Sequence, residues 1–206
     1  MINQEHAAEH VHRDDIGTRM GVWLFLFTEL LLFGGLFFLY SVYRFLHQMD
    51  FHVAAKGLNV FIGTLNTAIL LTSSLTMALS ITAIQRGSRK LSISLQCITI
   101  LFGIIFLVNK YFEWMTKIHH GIYPGSEDLV ARGSGQILFF GLYYTMTGLH
   151  GLHVIIGIVL ISIMTRFTVN GVITPENYVK LEAAGLYWHL VDIIWIFLFP
   201  LFYLIT

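Results

Sequence analysis

Ionisable side chains interrupt the apolar stretches of this sequence, and they are the residues most able to do chemistry. Glu29 lies in the first apolar stretch and His153 in the fourth. The last stretch carries His189 and Asp192, which are three residues apart and therefore share one helical face. Because a charge in hydrocarbon is costly unless it is paired or faces protein, we expect all four groups to face the protein interior.

Such groups within a membrane form proton paths, bind cofactors or join helices. Counting about 1.5 Å per residue places Glu29, His153, His189 and Asp192 in the cytoplasmic half of the membrane. His153 and His189 stand on different helices and could offer two axial nitrogens to haem. A buried His–Asp or His–Glu pair could instead tie helices together. The sequence has no His-Glu-x-x-His motif and a single cysteine, so it does not indicate a zinc site.

Two further pairs show the same three-residue spacing. His150 shares a helical face with His153, and nearby glycines allow a neighbouring helix to approach. Lys110 and Glu113 end the third apolar stretch. Lys110 either neutralises Glu113 or extends its ammonium group to the lipid headgroups, and the second is the simpler interpretation.

The composition indicates that helices within a membrane position these groups. The chain has 206 residues, of which 56% are hydrophobic and only 12% are charged, so it is too apolar for a soluble protein. The 12 Lys and Arg residues balance 12 Asp and Glu residues, which excludes the basic field of a nucleic-acid-binding protein. Cys97 lies in an apolar run and is interpreted as a small buried residue without a redox role.

The predicted fold is all-α, a polytopic membrane bundle of five helices. A polar tail, residues 1–17, carries His6, His10 and His12 and is interpreted as a solvated arm. Residues 18–206 form a single transmembrane domain, with spans at about 21–43, 60–84, 93–115, 137–164 and 186–205.

Smaller features refine this organisation. The second span is rich in Ser and Thr, which is typical of a helix that packs closely against others. Thr174 followed by Pro175 predicts a helix start ahead of the fifth span. Seven Lys and Arg residues lie on the side of the N-terminal tail and four on the other, so the positive-inside rule places the N-terminus in the cytoplasm and the C-terminus outside.

Four stretches together resemble subunit III of the haem-copper oxidases, which include cytochrome c oxidase and its quinol-oxidase relatives. They are WLFLFTE at 23–29, LNT at 65–67, GLHGLHV at 148–154 and YWHLVDIIW at 187–195. The segment that ends in Glu113 is also similar to a Tyr- and Phe-rich segment of the family. Lys110 departs from the mitochondrial-type pattern, in which an acid often stands there. The likeness is to the short bacterial form with five helices.

The resemblance implies an accessory subunit of the bacterial inner membrane without haem or copper of its own. Such a subunit packs against the catalytic subunit I, which holds the haem and copper, and assembles with subunit II. It holds membrane phospholipid in a cleft and supports proton uptake and oxygen access during oxygen reduction in aerobic respiration. The chain would then belong to a proton-translocating enzyme complex and contribute no catalytic and no metal-binding residue.

Residue roles follow from the same resemblance. Glu29 matches the buried carboxylate of the family's cleft helix, with a role related to lipid or protons. The family's buried polar packing positions correspond to His150, His153, His189, Asp192 and Glu113.

The sequence also fits three other functions. A subunit-III-like companion of nitric oxide reductase would have the same length and helix number. A stand-alone proton-coupled transporter could use Glu29 and Asp192, although the sequence shows no internal repeat. A membrane carrier of haem b is the third alternative.

Overall fold

Helices account for nearly the whole chain. The computed structural model describes the backbone of residues 2–205 and the side chains of residues 17–205. In chain order the helices are α1 (Ile2–Leu46), α2 (Gln48–Ala55), α3 (Val60–Gln85), α4 (Arg89–His119), α5 (Glu127–Val130), α6 (Ser134–Val169) and α7 (Val179–Tyr203).

Five of these helices are long and apolar enough to cross a membrane. They are the Gly17–Leu46 part of α1 together with α3, α4, α6 and α7. This confirms the predicted all-α bundle with five transmembrane helices, whereas the orientation of the termini remains a prediction. The histidines of the N-terminal tail, His6, His10 and His12, lie outside the described side chains.

The last helix, α7, is the centre of the bundle. It packs against α6, α3 and α1. Half of the most hydrophobic 18-residue stretch of α7 is buried within the chain, compared with 11% of the corresponding stretch of α1. Trp188 and Trp195 of α7 are fully buried and contribute large apolar surfaces to the core. The stretch YWHLVDIIW therefore lies where the other helices converge.

Glycines make room for Trp188 between α4 and α6. A Cβ atom added at Gly157 would lie 2.6 Å from a carbon of the Trp188 ring, and one added at Gly103 would lie 2.8 Å from it. Such distances are far inside van der Waals contact, so only glycine fits beside the ring at either position. Small residues thus bring α4 and α6 close to α7, as in other membrane bundles.

The hydroxyl groups of α3 bond both within the helix and across to its neighbours. Thr76 Oγ1 lies 2.7 Å from Thr99 Oγ1 of α4. Thr67 donates to the Gly63 carbonyl at 2.9 Å and accepts the Trp195 indole N–H at 3.0 Å. This confirms the prediction that the Ser- and Thr-rich span is a packing helix.

Two smaller predictions were wrong. Cys97 is exposed on α4, because the buried side of that turn is formed by Gln96 and Thr99. No helix begins at Thr174. Its N–H and carbonyl exchange hydrogen bonds with those of Asn177 at 3.3 and 3.1 Å, which closes a turn before α7 begins at Val179.

We expect Gly157→Ala to destabilise the bundle by about 1–3 kcal/mol, because the added methyl group overlaps the Trp188 ring. Gly141→Ala is the matched control on the same helix, since nothing lies within 4 Å of a Cβ atom at Gly141. Thermal unfolding of the purified protein in mild detergent measures both effects. Equal midpoints for the two variants would contradict the close packing at Gly157.

Candidate functional site: buried polar contacts between the helices

Glu29 of α1 meets His153 of α6 inside the bundle. Glu29 Oε2 lies 2.8 Å from His153 Nε2, and the two side chains are 13% and 9% exposed. The other ring nitrogen, His153 Nδ1, lies 2.7 Å from the Leu149 carbonyl oxygen. The ring is also packed edge-on against Phe33 of α1 at 5.3 Å. Two residues that stand 124 positions apart in the sequence thus form one contact.

The geometry of this contact determines where its protons can lie. A carbonyl oxygen can only accept, so His153 Nδ1 carries a proton. Nε2 then either accepts a proton from a neutral Glu29 carboxyl or donates one to a Glu29 carboxylate. The two arrangements differ only by the position of one shared proton. The contact can therefore transfer a proton between α1 and α6 without a change in its total charge.

A second buried cluster joins α4, α6 and α7. Lys110 Nζ lies 3.0 Å from Glu113 Oε2, from the Tyr143 hydroxyl and from the Tyr203 hydroxyl. Glu113 Oε1 accepts hydrogen bonds from Tyr143 at 2.8 Å and from Tyr203 at 2.6 Å. The three protons of the ammonium group thus meet three acceptors, and both carboxylate oxygens are bonded.

The interpretation of Lys110 as a residue that reaches the headgroups was wrong. Its side chain is 8% exposed and that of Glu113 is 4% exposed. The two charges neutralise each other inside the bundle, because two tyrosines supply the remaining hydrogen bonds that an ion pair needs away from water. Lys110 instead pairs with Glu113, three residues further along α4, which was the other interpretation of the spacing.

Lys117 continues the same face of α4, one turn beyond Glu113. It is 7% exposed, and its Nζ donates to the Gly57 carbonyl at 3.0 Å. Gly57 belongs to the connection between α2 and α3, so this lysine holds that connection against α4.

His189 and Asp192, which share a face of α7, are not hydrogen-bonded to each other. His189 Nδ1 lies 2.6 Å from the Ser74 hydroxyl of α3. The Asp192 carboxyl is buried beside the Ser74 hydroxyl, and neither of its oxygens has a well-formed hydrogen bond to a described residue. An unpaired charge is costly there, so the neutral carboxylic acid is the form that fits this position.

His150 is held by aromatic rings. Its side chain is fully buried between Phe106 of α4, at a ring distance of 5.4 Å, and Trp195 of α7, at 5.2 Å. Neither ring nitrogen has a hydrogen-bond partner among the described residues. His150 therefore contacts both neighbouring helices through its ring faces and edges.

The arrangement does not favour His153 and His189 as a pair of haem ligands. Both nitrogens of His153 are engaged in hydrogen bonds, and one nitrogen of His189 is bonded to Ser74. Among residues 17–205, no three His, Cys, Asp or Glu side chains lie close enough together to hold a metal ion.

The sequence indicated Glu113 as a buried polar residue, but it did not indicate the two tyrosines that complete its cluster. Tyr143 lies seven residues before His150, two turns along the same face of α6, and this spacing was the available signal. Tyr203 lies at the end of α7, 93 residues from Lys110, and no local pattern connects the two. Only the packing of α7 against α4 brings them together.

Comparison with known proteins identifies relatives along the whole chain. The family model "Cytochrome c oxidase subunit III" matches residues 1–206. Cytochrome c oxidase subunit 3 of Thermostichus vulcanus is 34% identical over 205 residues, which cover 97% of this chain and 93% of the relative. Cytochrome bo(3) ubiquinol oxidase subunit 3 of Pseudomonas aeruginosa is 31% identical over 207 residues, with 97% and 90% covered.

A third relative is much longer than this chain. The heme-copper oxidase subunit I+III of Aeropyrum pernix is 30% identical over 193 residues, which cover 91% of this chain but 22% of that protein.

We expect Lys110→Met to destabilise the protein by about 3–5 kcal/mol, because Glu113 would be left as an uncompensated buried charge. The double variant Lys110→Met/Glu113→Met should recover most of that loss, since it removes both charges and retains apolar volume. Thermal unfolding in detergent compares the two. A double variant no more stable than the single one would contradict the importance of the ion pair.

Proposed function

The chain belongs to the cytochrome c oxidase subunit III family, and we propose that it is a non-redox accessory subunit of a haem-copper terminal oxidase. In this role it stabilises the catalytic subunit, binds lipid and supports proton uptake during oxygen reduction. The observation that carries the proposal is the family match over residues 1–206. Cytochrome c and ubiquinol oxidases both occur among the relatives, so the proposal covers either electron donor.

The proposed partner is a haem-copper catalytic subunit I, together with subunit II. The name of the Aeropyrum pernix relative, subunit I+III, supports this choice, because a subunit III region stands there in one protein with subunit I. Haem and copper would belong to the partner. We further propose the bacterial inner membrane as the location, with the N-terminus in the cytoplasm, on the basis of the Lys and Arg distribution.

Glu29 and His153 are the residues that we assign to the proton-related role. The 2.8 Å contact between Glu29 Oε2 and His153 Nε2 and the low exposure of both side chains support this assignment. We assign helix packing to His150, His153, His189, Asp192 and Glu113, since each contacts or is buried against a neighbouring helix.

An apolar groove between α4 and α6 supports the lipid-binding part of the proposal. It has a volume of about 750 Å³, and its walls include Leu107, Phe112 and Leu152. Gly151 lies along it and leaves space for a chain close to the backbone of α6, whereas the Trp114 ring lies over Gly148. A lipid acyl chain fits such a surface, because the groove has almost no polar lining.

Mass spectrometry of the complex purified with the tagged chain tests the proposed function. We expect a haem-copper oxidase subunit I to co-purify in mild detergent. A nitric oxide reductase large subunit in its place would favour the companion alternative. A well-folded chain recovered alone would contradict the accessory role and favour transport or haem binding.

For Glu29→Ala we expect normal assembly but faster loss of oxidase activity during turnover, because His153 loses its proton partner. Glu29→Gln is the matched control for shape, since its amide can bond His153 Nε2 but cannot exchange a proton with it. Oxygen consumption recorded over many turnovers measures the inactivation rate. Inactivation of the Gln variant at the wild-type rate would limit Glu29 to a structural role.

A further inference from the structure

A polar pocket lies at the end of the bundle where α1 leaves its membrane span. It has a volume of about 820 Å³ and is formed by the last turn of α1, by α2 and by the end of α7. The floor is fixed by Tyr40, whose hydroxyl donates a hydrogen bond to the Leu201 carbonyl. This pocket is separate from the apolar groove between α4 and α6 and from both buried polar clusters.

Three side chains in this pocket have hydrogen-bond donors without a partner. Arg44, Gln48 and His52 line it, and none of their side chains bonds to another described residue. No acidic residue lines the pocket. The nearby Asp50 is directed elsewhere, with one oxygen 3.8 Å from His47 and its carboxyl against Gly135 of α6. The pocket is therefore rich in donors, carries the positive charge of Arg44 and suits an anion.

The rim of the same pocket is apolar and exposed. Phe45 and Met49 are 75% and 77% exposed, and Leu201 and Ile205 complete the apolar wall. The candidate span of α1 ends at Leu46, so the pocket lies at the level at which lipid headgroups meet hydrocarbon. A soluble anion would gain nothing from this apolar wall, whereas a phospholipid would cover it with its acyl chains.

We propose that this pocket binds an anionic phospholipid, with the phosphate on Arg44, Gln48 and His52 and the acyl chains along Phe45 and Leu201. The phosphate of such a lipid would accept hydrogen bonds from these donors, and the Arg44 guanidinium matches its geometry and charge. The inference deepens the proposed lipid-binding function by naming the residues and the headgroup charge.

Photocrosslinking of the intact complex in lipid nanodiscs tests the site. The probe is phosphatidylglycerol with a diazirine near the headgroup end of one acyl chain, and the readout is the lipid-modified fraction of residues 45–56 after cleavage by a protease that does not cut at Arg44. We expect Arg44→Gln to lower this fraction by roughly fivefold, because it removes a full charge. His52→Gln should lower it less, because it only moves a hydrogen-bond donor away from the phosphate. Arg44→Lys, which keeps the charge, should restore labelling.

Arg86→Gln is the matched control, because it removes an exposed cation in the turn between α3 and α4 and should leave labelling unchanged. Unlabelled phosphatidylglycerol should compete and inorganic phosphate should not. Equal labelling in the Arg44→Gln/His52→Gln double variant would overturn the proposal. Equal labelling by a phosphatidylcholine probe, competition by phosphate, or crosslinks only to a partner protein would overturn it as well.

This experiment distinguishes a wrong lipid site from a wrong proposed function. Absence of labelling in the wild-type complex, when that complex still contains the catalytic subunit, would refute the lipid site alone. Labelling of a chain that purifies without a catalytic subunit would refute the accessory role and leave the lipid site standing.

Discussion

The interior of a membrane offers no water to polar side chains, so a buried polar group is costly unless it finds a partner within the protein. The Lys110–Glu113 cluster shows the consequence most clearly. One ion pair on α4 is completed by a tyrosine from α6 and another from α7. The position of three helices is therefore tied to one set of hydrogen bonds, which cannot be remade elsewhere in the hydrocarbon.

The same constraint explains how α1 and α3 are attached. α1 buries little apolar surface within the chain, yet Glu29 joins it to α6 and Tyr40 joins it to α7. α3 receives the indole N–H groups of Trp188 and Trp195 on Ser73 and Thr67. Since apolar burial gives little preference for one helix neighbour over another in lipid, these polar contacts contribute much of the specificity.

Much of the fold could be predicted from the sequence, because span length and hydropathy alone give five helices. The inward positions of Glu29 and His153 also followed from the cost of a charge in lipid. Their pairing did not, since it depends on which helices become neighbours.

Lys110 was misassigned because a lysine near a helix end can often reach the headgroups, and the two tyrosines that hold it come from distant parts of the chain. The turn at Thr174 was missed because its backbone bonds to Asn177 replace the predicted helix start.

We propose that this chain supports an oxidase without a redox centre of its own. The most direct test is a reduced-minus-oxidised absorbance spectrum of the purified complex and of this chain after its release from the complex in detergent. We expect all haem absorbance to remain with the catalytic subunit and the released chain to show none. A haem spectrum that stays with the released chain, and is lost on substitution of His153 or His189, would contradict it.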